Sequence, residues 1–230
     1  MALVFDIETI GTPYADLPPS VQEYLVRPAA GEAEEEEKLK RTTSLLPYTG
    51  GVACIAMRST GSGTGRVLFR PGSQSAPREE GVEYVAFEDE KMLLEQFWRL
   101  AAGFSRSRSG DSLPFVTFNG RGFDVPYLVV RSGILEVKVT CDLLGNRYRT
   151  DVHVDLYDQL AFQGAANRRF NLDLVCRAFG IESPKSEEAH GYKVQEMWEA
   201  GRGADIARYC YGDVVATAEL YRRWKEFMSA

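Results

Sequence analysis

The chain has 230 residues, of which 44% are hydrophobic and 26% charged, and its formal net charge at pH 7 is −6. This length and composition are typical of one soluble globular domain that spans residues 1–230. The acidic balance excludes nucleic-acid binding through the whole surface, because such proteins are usually basic, so any contact of that kind must be local.

The spacing of the cysteines and the N-terminal sequence allow a prediction of the cellular compartment. Cys54, Cys141, Cys176 and Cys210 lie far apart and form no C-x-x-C pair. This spacing indicates neither a zinc site nor a disulfide framework, and it fits a reduced, cytoplasmic compartment. The apolar run before Asp6 is too short for a signal peptide. No segment has the length of a membrane span, so we expect no membrane partner.

The first part of the chain is predicted to contain three strands, with one insertion between the first and the second. Apolar alternation predicts a strand over residues 2–7. Residues 18–46 contain a helix start signal and an acidic run, and we interpret them as a surface insertion. Strands are predicted over residues 51–58 and 66–70, joined by a hairpin loop rich in Gly and Ser.

The second part of the chain is predicted to contain two further strands, over residues 114–118 and 151–155. The predicted helices are 88–103, one around 125–131, 171–179, 192–199 and 203–226. This order of elements predicts an α/β fold in which helices flank a mixed five-stranded sheet.

The first strand ends in two carboxylates, Asp6 and Glu8. Side chains alternate between the faces of a strand, so these two share a face with Val4 and lie roughly 7 Å apart. Ionised carboxylates at the end of an apolar strand are costly unless their charge is compensated, and a divalent cation would compensate it. A D-x-E triplet also arises by chance about once in a chain of this length, so the triplet alone does not establish a metal site.

Near the C-terminus, Tyr209 and Asp213 are four residues apart and share one face of the predicted last helix. The same face continues with apolar residues at helical spacing, which are Ile206, Ala216, Leu220 and Trp224. A carboxylate within such a stripe is uncommon unless it is paired or binds a metal. A core Asp that accepts hydrogen bonds from a turn is an equally favoured alternative.

A predicted strand leads into a turn with the sequence Phe-Asn-Gly-Arg-Gly-Phe-Asp at residues 118–124. Asp124 lies at the start of the following helix, a position where Asp is more often a helix cap than a ligand. The two glycines allow the backbone to approach a ligand closely.

In this order, the three motifs resemble the Tyr subclass of DEDD-type 3′–5′ exonucleases, which have a ribonuclease-H-like fold. More closely, the chain is similar to stand-alone relatives of the proofreading domain of family B DNA polymerases. The resemblance covers nearly the whole chain, and residues 18–46 and 136–150 are its least typical parts. The matching segments are FDIET at 5–9, FNGRGFDVPYL at 118–128, HVDL at 153–156, NLDLVCRAFGI at 171–181 and IARYCYGDVVAT at 206–217.

A second pair of residues, His153 and Asp158, has the His-x-x-x-x-Asp spacing of the other DEDD subclass. That assignment would place the third motif soon after Asp124 and would leave the last part of the chain without a motif. We therefore favour Tyr209 and Asp213, and we interpret HVDL as the fifth strand, with its Asp capping the next helix.

The resemblance implies a site for two divalent cations, Mg²⁺ or Mn²⁺, with the ligands Asp6, Glu8, Asp124 and Asp213. Carboxylate oxygens suit these ions and disfavour zinc. By position in the motifs, Asp6 would bridge both cations, and Glu8 and Asp213 would complete the first site. Asp124 would act at the second site, and Tyr209 would orient the attacking water.

The resemblance also implies that the 3′ end of a single strand binds beside the motifs, with DNA favoured and RNA possible. The candidate substrate contacts are Thr9, Ile10, Phe118, Asn119, Arg121 and Phe123. Aromatic stacking tolerates any base, so we expect weak sequence preference. Arg121 is also a candidate phosphate contact, and the others are Arg168, Arg169, Lys185 and Lys193.

Two alternatives remain open at this stage. One is an exoribonuclease with the same site, and the other is a catalytically silent ribonuclease-H-like module that only binds nucleic acid. Loss of a carboxylate would mark the silent module, and all four carboxylates are present. We expect the chain to act without a covalently attached polymerase domain.

Overall fold

The structure, a computed structural model, describes residues 1–27, 33–40, 42–106, 113–166, 169–183 and 193–229. Its strands are β1 (Leu3–Gly11), β2 (Gly50–Ser59), β3 (Gly65–Phe69), β4 (Val82–Ala86), β5 (Phe115–Thr117) and β6 (His153–Asp155). They form one six-stranded sheet in the order β4-β3-β2-β1-β5-β6.

The sheet is mixed, with β1 near its middle. β1 is antiparallel to β2 and parallel to β5, β2 is antiparallel to β3, and the pairs β3–β4 and β5–β6 are parallel. The predicted α/β class is confirmed, but the predicted count of five strands is wrong. The missed strand is β4, a five-residue edge strand in which no residue is fully buried, so its hydrophobic signal is weak.

The helices cover both faces of the sheet. They are α1 (Pro19–Val26), α2 (Ala33–Lys40), α3 (Glu90–Arg106), α4 (Asp124–Ile134), α5 (Leu156–Leu160), α6 (Leu172–Phe179), α7 (Val194–Glu199) and α8 (Gly203–Phe227). Within the described ranges, no helix combines the length and the apolar character needed to cross a membrane.

The alternation predicted for the first strand separates two cores. Phe5 and Ile7 belong to the core under α3 and α4, whereas Val4 belongs to the core under α6, α7 and α8. This second face is called the α8 face below. Because side chains alternate along a strand, Asp6 and Glu8 lie on the α8 face together with Val4.

The predicted insertion at 18–46 lies between β1 and β2 and contains α1 and α2. Its residues Leu25 and Thr43 are buried. Thr43 packs so closely on Gly11 at the end of β1 that an added Cβ there would collide with it. This part of the insertion therefore closes the C-terminal end of β1.

The C-terminal half of β1 contains a bulge. The register with β2 shifts between Glu8 and Thr9, so β2 has one extra residue there, Ala53. A bulge bends a strand and redirects its side chains, and bulges are over-represented beside active sites. Beyond the bulge, the side-chain amide of Gln195 on α7 accepts from the N–H of Gly11 at 2.8 Å and donates to its carbonyl at 3.3 Å. The end of β1 is therefore held on both edges.

Candidate active site

Three carboxylates from distant parts of the sequence converge on the α8 face. Asp6 and Glu8 come from β1 and Asp213 comes from α8, and all three are partly exposed. Each offers one oxygen, and these oxygens lie within 4.8 Å of one another. Hard oxygen donors at this spacing fit a divalent cation such as Mg²⁺ or Mn²⁺.

Asp124 adds a fourth carboxylate beside Asp6. It is the first residue of α4 and is only 3% exposed. Its Oδ1 accepts the N–H of Ile7 on β1 at 3.1 Å, and its carboxylate lies close enough to Asp6 to raise the pKa of that residue. The cap position of α4 belongs to Phe123, which makes no side-chain capping bond, so Asp124 contacts β1 instead of capping its helix. Asp6, Glu8, Asp124 and Asp213 are called the carboxylate centre below.

Burial and neighbouring negative charge raise the pKa of two carboxyl groups in the carboxylate centre. Burial raises the pKa of Asp6 well above its ordinary value, and the charges of Asp124, Asp213 and Glu8 raise it further. Burial raises the pKa of Asp124 to about 7, although the N–H of Ile7 acts in the opposite direction. Desolvation and like charge therefore act together, and a bound cation would relieve both.

Tyr209 borders the carboxylate centre one helical turn before Asp213 and is 8% exposed. Burial raises the pKa of its hydroxyl, and the charges of Asp213, Glu8 and Asp6 add to the shift. The phenol therefore keeps its proton at neutral pH. It can donate a hydrogen bond to a water or a phosphate oxygen at this place.

Sequence reasoning missed Cys210, which is buried against Asp6. Its Sγ lies 3.5 Å from the Asp6 carbonyl oxygen and 3.6 Å from Asp6 Oδ2, so the thiol donates weakly to this residue. Burial raises the pKa of the thiol, and the nearby Cys54 adds to the shift. The available signal was spacing, because Cys210 precedes Asp213 by three residues and so shares its side of α8.

The turn between β5 and α4 is held by Asp155. Its Oδ1 accepts the N–H of Asn119 and its Oδ2 accepts the N–H of Arg121, both at 2.8 Å. Asp155 also caps α5, because Oδ1 accepts the N–H groups of Tyr157 and Asp158 at 3.0 and 3.4 Å. The cap was predicted and is confirmed. The anchoring of the turn was not predicted, because it depends on β5 and β6 being neighbours.

We expect Asp155→Asn to lower the melting temperature by about 2–12 °C. The substitution replaces one carboxylate oxygen with an amide donor and leaves at least one partly buried N–H group unpaired, which costs about 1–3 kcal/mol. Each kcal/mol shifts the melting temperature of a domain of this size by about 2–4 °C. Thermal unfolding measures this shift. The control is Asp151→Asn, which disturbs the exposed pair with Arg149. Equal melting temperatures in the two variants would contradict the anchoring role.

The backbone of the turn is constrained at Asn119 and Gly120. The left-handed residue is Asn119, with φ of 66°. Gly120 is needed because a Cβ there would collide with the side chain of Thr117. This glycine therefore allows the turn to pack against Thr117.

The candidate substrate contacts other than Arg121 differ in how far they are exposed to solvent. Thr9 and Ile10 are each 8% exposed. Phe118 is partly exposed and Asn119 is exposed. Phe123 packs against Tyr127, with ring centroids 5.4 Å apart.

Of the basic candidates, Arg121 holds a loop of the protein itself. The guanidinium of Arg121 donates to the carbonyls of Leu144 and Asn146 at 2.5 and 3.4 Å, so it holds the loop that contains them. Arg169 is exposed and Lys193 is partly exposed. The remaining two, Arg168 and Lys185, lie outside the described residues.

The alternative pair His153 and Asp158 has other partners. His153 is 1% exposed and shares a 2.8 Å hydrogen bond with Thr117, and burial lowers its pKa to about 3. Asp158 forms a 2.7 Å ion pair with Arg147. Neither residue is among the three whose ligand oxygens converge.

A protein family described as a predicted 3′–5′ exonuclease related to the exonuclease domain of PolB matches residues 80–230. This range includes Asp124, Tyr209 and Asp213. Asp6 and Glu8 lie outside the matched range, and the fold brings them to the same site.

Curated relatives are DNA polymerases. The chain is 28% identical over 158 residues to a DNA polymerase of Pyrococcus glycovorans, covering 62% of this chain and 19% of that protein. It is 29% identical over 184 residues to a DNA polymerase of Thermococcus sp. (strain 9oN-7), covering 70% of this chain and 22% of that protein. The chain therefore spans about a fifth of the length of these curated relatives.

A solved structure shares the fold. The family B DNA polymerase of Pyrobaculum calidifontis superposes on 97% of this chain with a TM-score of 0.59 and 23% identity, and the match covers 24% of that protein. The predicted ribonuclease-H-like fold is confirmed. The family match covers well over half of the residues, so the chain belongs to the family of predicted 3′–5′ exonucleases related to the exonuclease domain of PolB.

Proposed function

We propose that the chain is a metal-dependent 3′–5′ exonuclease that removes nucleotides from the 3′ end of single-stranded DNA, with two divalent cations at the carboxylate centre. The observation that carries this proposal is the convergence of Asp6, Glu8 and Asp213 within 4.8 Å, with Asp124 and Tyr209 beside them. The family supports the reaction, and the identity of the curated relatives as DNA polymerases favours DNA over RNA.

The carboxylate centre divides into two sets of ligands. Asp6, Glu8 and Asp213 would hold one cation, and Asp6 with Asp124 would hold the second. Bound cations of this kind activate water as a nucleophile and stabilise the charge that develops on the attacking and leaving oxygens.

The protein groups around the centre fix the geometry of the reaction. The N–H of Ile7 holds the Asp124 carboxylate against β1. The protonated Tyr209 hydroxyl orients the attacking water by hydrogen bonding. The Asp155 carboxylate fixes the turn that leads into α4. Positioning of this kind lowers the barrier because the reacting groups meet in one geometry.

Tyr209→Phe is expected to slow turnover about 10- to 100-fold without abolishing it, the range seen when groups that orient a metal site are lost. The ring stays in place and only the hydroxyl is lost. Steady-state rates on a labelled oligonucleotide measure the effect. Tyr221→Phe is the matched control, since Tyr221 is also buried on α8 but stacks on Trp224. A Tyr209→Phe rate equal to that of the control would assign water orientation to another group.

The substrate and polarity are tested with a single-stranded DNA labelled at its 5′ end, beside an RNA of the same sequence. With Mg²⁺ or Mn²⁺ we expect a ladder of products that shortens from the 3′ end, faster on DNA. Faster shortening of RNA would favour the exoribonuclease alternative. Absence of cleavage of both strands, in folded protein with both metals tried, would overturn the proposal and favour the silent binding module.

A further inference from the structure

Three aromatic rings form a partly exposed cluster on the α8 face. Tyr157 and Phe170 are stacked, with centroids 4.5 Å apart and an interplanar angle of 28°. The Phe118 ring meets both edge-on, at 5.8 Å from Tyr157 and 6.2 Å from Phe170. All three side chains retain some solvent exposure. These residues are called the aromatic cluster below.

The sheet register indicates that Phe118 of the aromatic cluster lies on the same face of the sheet as the carboxylate centre. Val4 of β1 pairs with Val116 of β5, and both are buried in the core of the α8 face. Asp6 and Phe118 each follow two residues later, and Phe118 packs on the same core. Neighbouring strands are about 4.8 Å apart, so Phe118 lies one strand away from Asp6 on the same face.

The other end of the aromatic cluster reaches the helix that flanks Asp213. Phe170 lies two residues before α6 and packs on the same core as Val175 and Cys176 of that helix. The charge of Asp213 contributes to the raised pKa of Cys176, although burial is the larger cause. The aromatic cluster therefore lies between β5 and α6, on the face of the sheet that carries the carboxylate centre.

Charge alone gives this protein little means of holding a nucleic-acid strand. The chain has a net charge of −6, and the carboxylate centre repels phosphates until cations bind. Counterion release from many basic contacts, the usual source of affinity, is therefore limited. Base stacking on aromatic rings is independent of net charge and can supply the missing affinity. The exposed Asn119 and Arg169 next to the cluster are polar neighbours suited to the backbone of the same strand.

We propose that the aromatic cluster is a base-stacking surface for the unpaired bases on the 5′ side of the scissile phosphate. This inference rests on the proposed function and assigns Tyr157 and Phe170 to substrate binding. The terminal nucleotide has its own candidate contacts at Thr9 and Ile10, so the cluster serves the nucleotides before it. Bases paired in a duplex cannot stack on these rings, so the enzyme requires a single-stranded 3′ end.

The first test compares Tyr157→Leu and Phe170→Leu with wild type on single-stranded DNA. Each leucine variant is expected to raise KM about 5- to 150-fold, the loss that corresponds to one stacked base, with a smaller change in kcat. Tyr157→Phe keeps the ring and is expected to bind as wild type does. Phe227→Leu, at a 70% exposed ring at the end of α8, is the control for loss of an aromatic residue elsewhere.

The second test measures base stacking directly by fluorescence. Single strands that carry 2-aminopurine at the second or third position from the 3′ end are mixed with the Asp213→Asn variant and Mn²⁺, so that binding occurs without turnover. Stacking on a ring is expected to quench the fluorescence of these positions. A double variant that carries both Asp213→Asn and Phe170→Leu is expected to leave the fluorescence unquenched.

The outcomes separate this inference from the proposed function. If wild type shortens the strand but both leucine variants match it in KM and 2-aminopurine stays unquenched, the stacking surface is wrong and the exonuclease assignment stands. If wild type neither binds nor shortens the strand, both fail. Thermal unfolding of each variant confirms that KM is measured on folded protein.

Discussion

Replacement of Asp6 by Asn is expected to abolish metal-dependent nuclease activity and to stabilise the metal-free protein. Asp6 contacts Asp124 and lies among the ligand oxygens of Glu8 and Asp213. Asp6 would bind the cations directly. Losing such a ligand should reduce activity more than the 10- to 100-fold seen when a residue that only orients a ligand is lost, so we expect the rate to fall at least about 100-fold. Rates at saturating Mn²⁺ measure it.

The gain in stability from Asp6→Asn follows from the repulsion within the carboxylate centre. The pKa of Asp6 is raised in the fold, so its charge destabilises the metal-free protein above that pKa, and the penalty disappears as the pH falls towards the ordinary value. We expect a melting temperature about 2–4 °C above wild type in EDTA at pH 8, which corresponds to about 1 kcal/mol. The difference should shrink at lower pH. An active Asp6→Asn variant would contradict the assignment.

The second large effect is a contrast between two aspartates. Asp213→Asn is expected to abolish turnover, whereas Asp158→Asn keeps most of it, because Asp158 pairs with Arg147 and Asp213 belongs to the carboxylate centre. Both substitutions preserve shape and remove one charge, so each is the control for the other. The measurement is the rate of strand shortening, with melting temperatures taken in parallel. The reverse result would assign the third motif to His153 and Asp158.

The faces of β1 and α8 could be predicted from sequence, because periodicity determines them locally. The alternation along residues 2–7 separates Phe5 and Ile7 from Val4, and the structure has these residues in two different cores. The apolar stripe that contains Tyr209 is buried as predicted, and it includes Ile206 and Leu220.

Features that depend on neighbours in the sheet could not be predicted in this way. The choice between cap and ligand for Asp124 depends on the N–H of Ile7, which is distant in sequence. The turn anchored by Asp155 depends on the parallel pairing of β5 with β6. The contact between Cys210 and Asp6 depends on how α8 crosses β1. In each case the missing information was tertiary.

The short edge strand β4 was missed for a different reason. Val82–Ala86 is only partly buried, and its alternation extends over five residues, which gives a weaker signal than the buried strands beside it. β4 is held in the sheet by its parallel pairing with β3, and local hydrophobicity does not reveal that pairing.

Metal add-back is the measurement that tests the carboxylate centre most directly. Wild type stripped with EDTA is mixed with a 5′-labelled single strand, and Mn²⁺ is then added in excess, with Asp6→Asn treated in the same way. We predict no cleavage before Mn²⁺, a 3′-shortening ladder after it, and a rise in melting temperature on adding Mn²⁺ that Asp6→Asn lacks. Cleavage that persists in EDTA, or equal restoration of cleavage in Asp6→Asn, would contradict the assignment of metal-dependent catalysis to this centre.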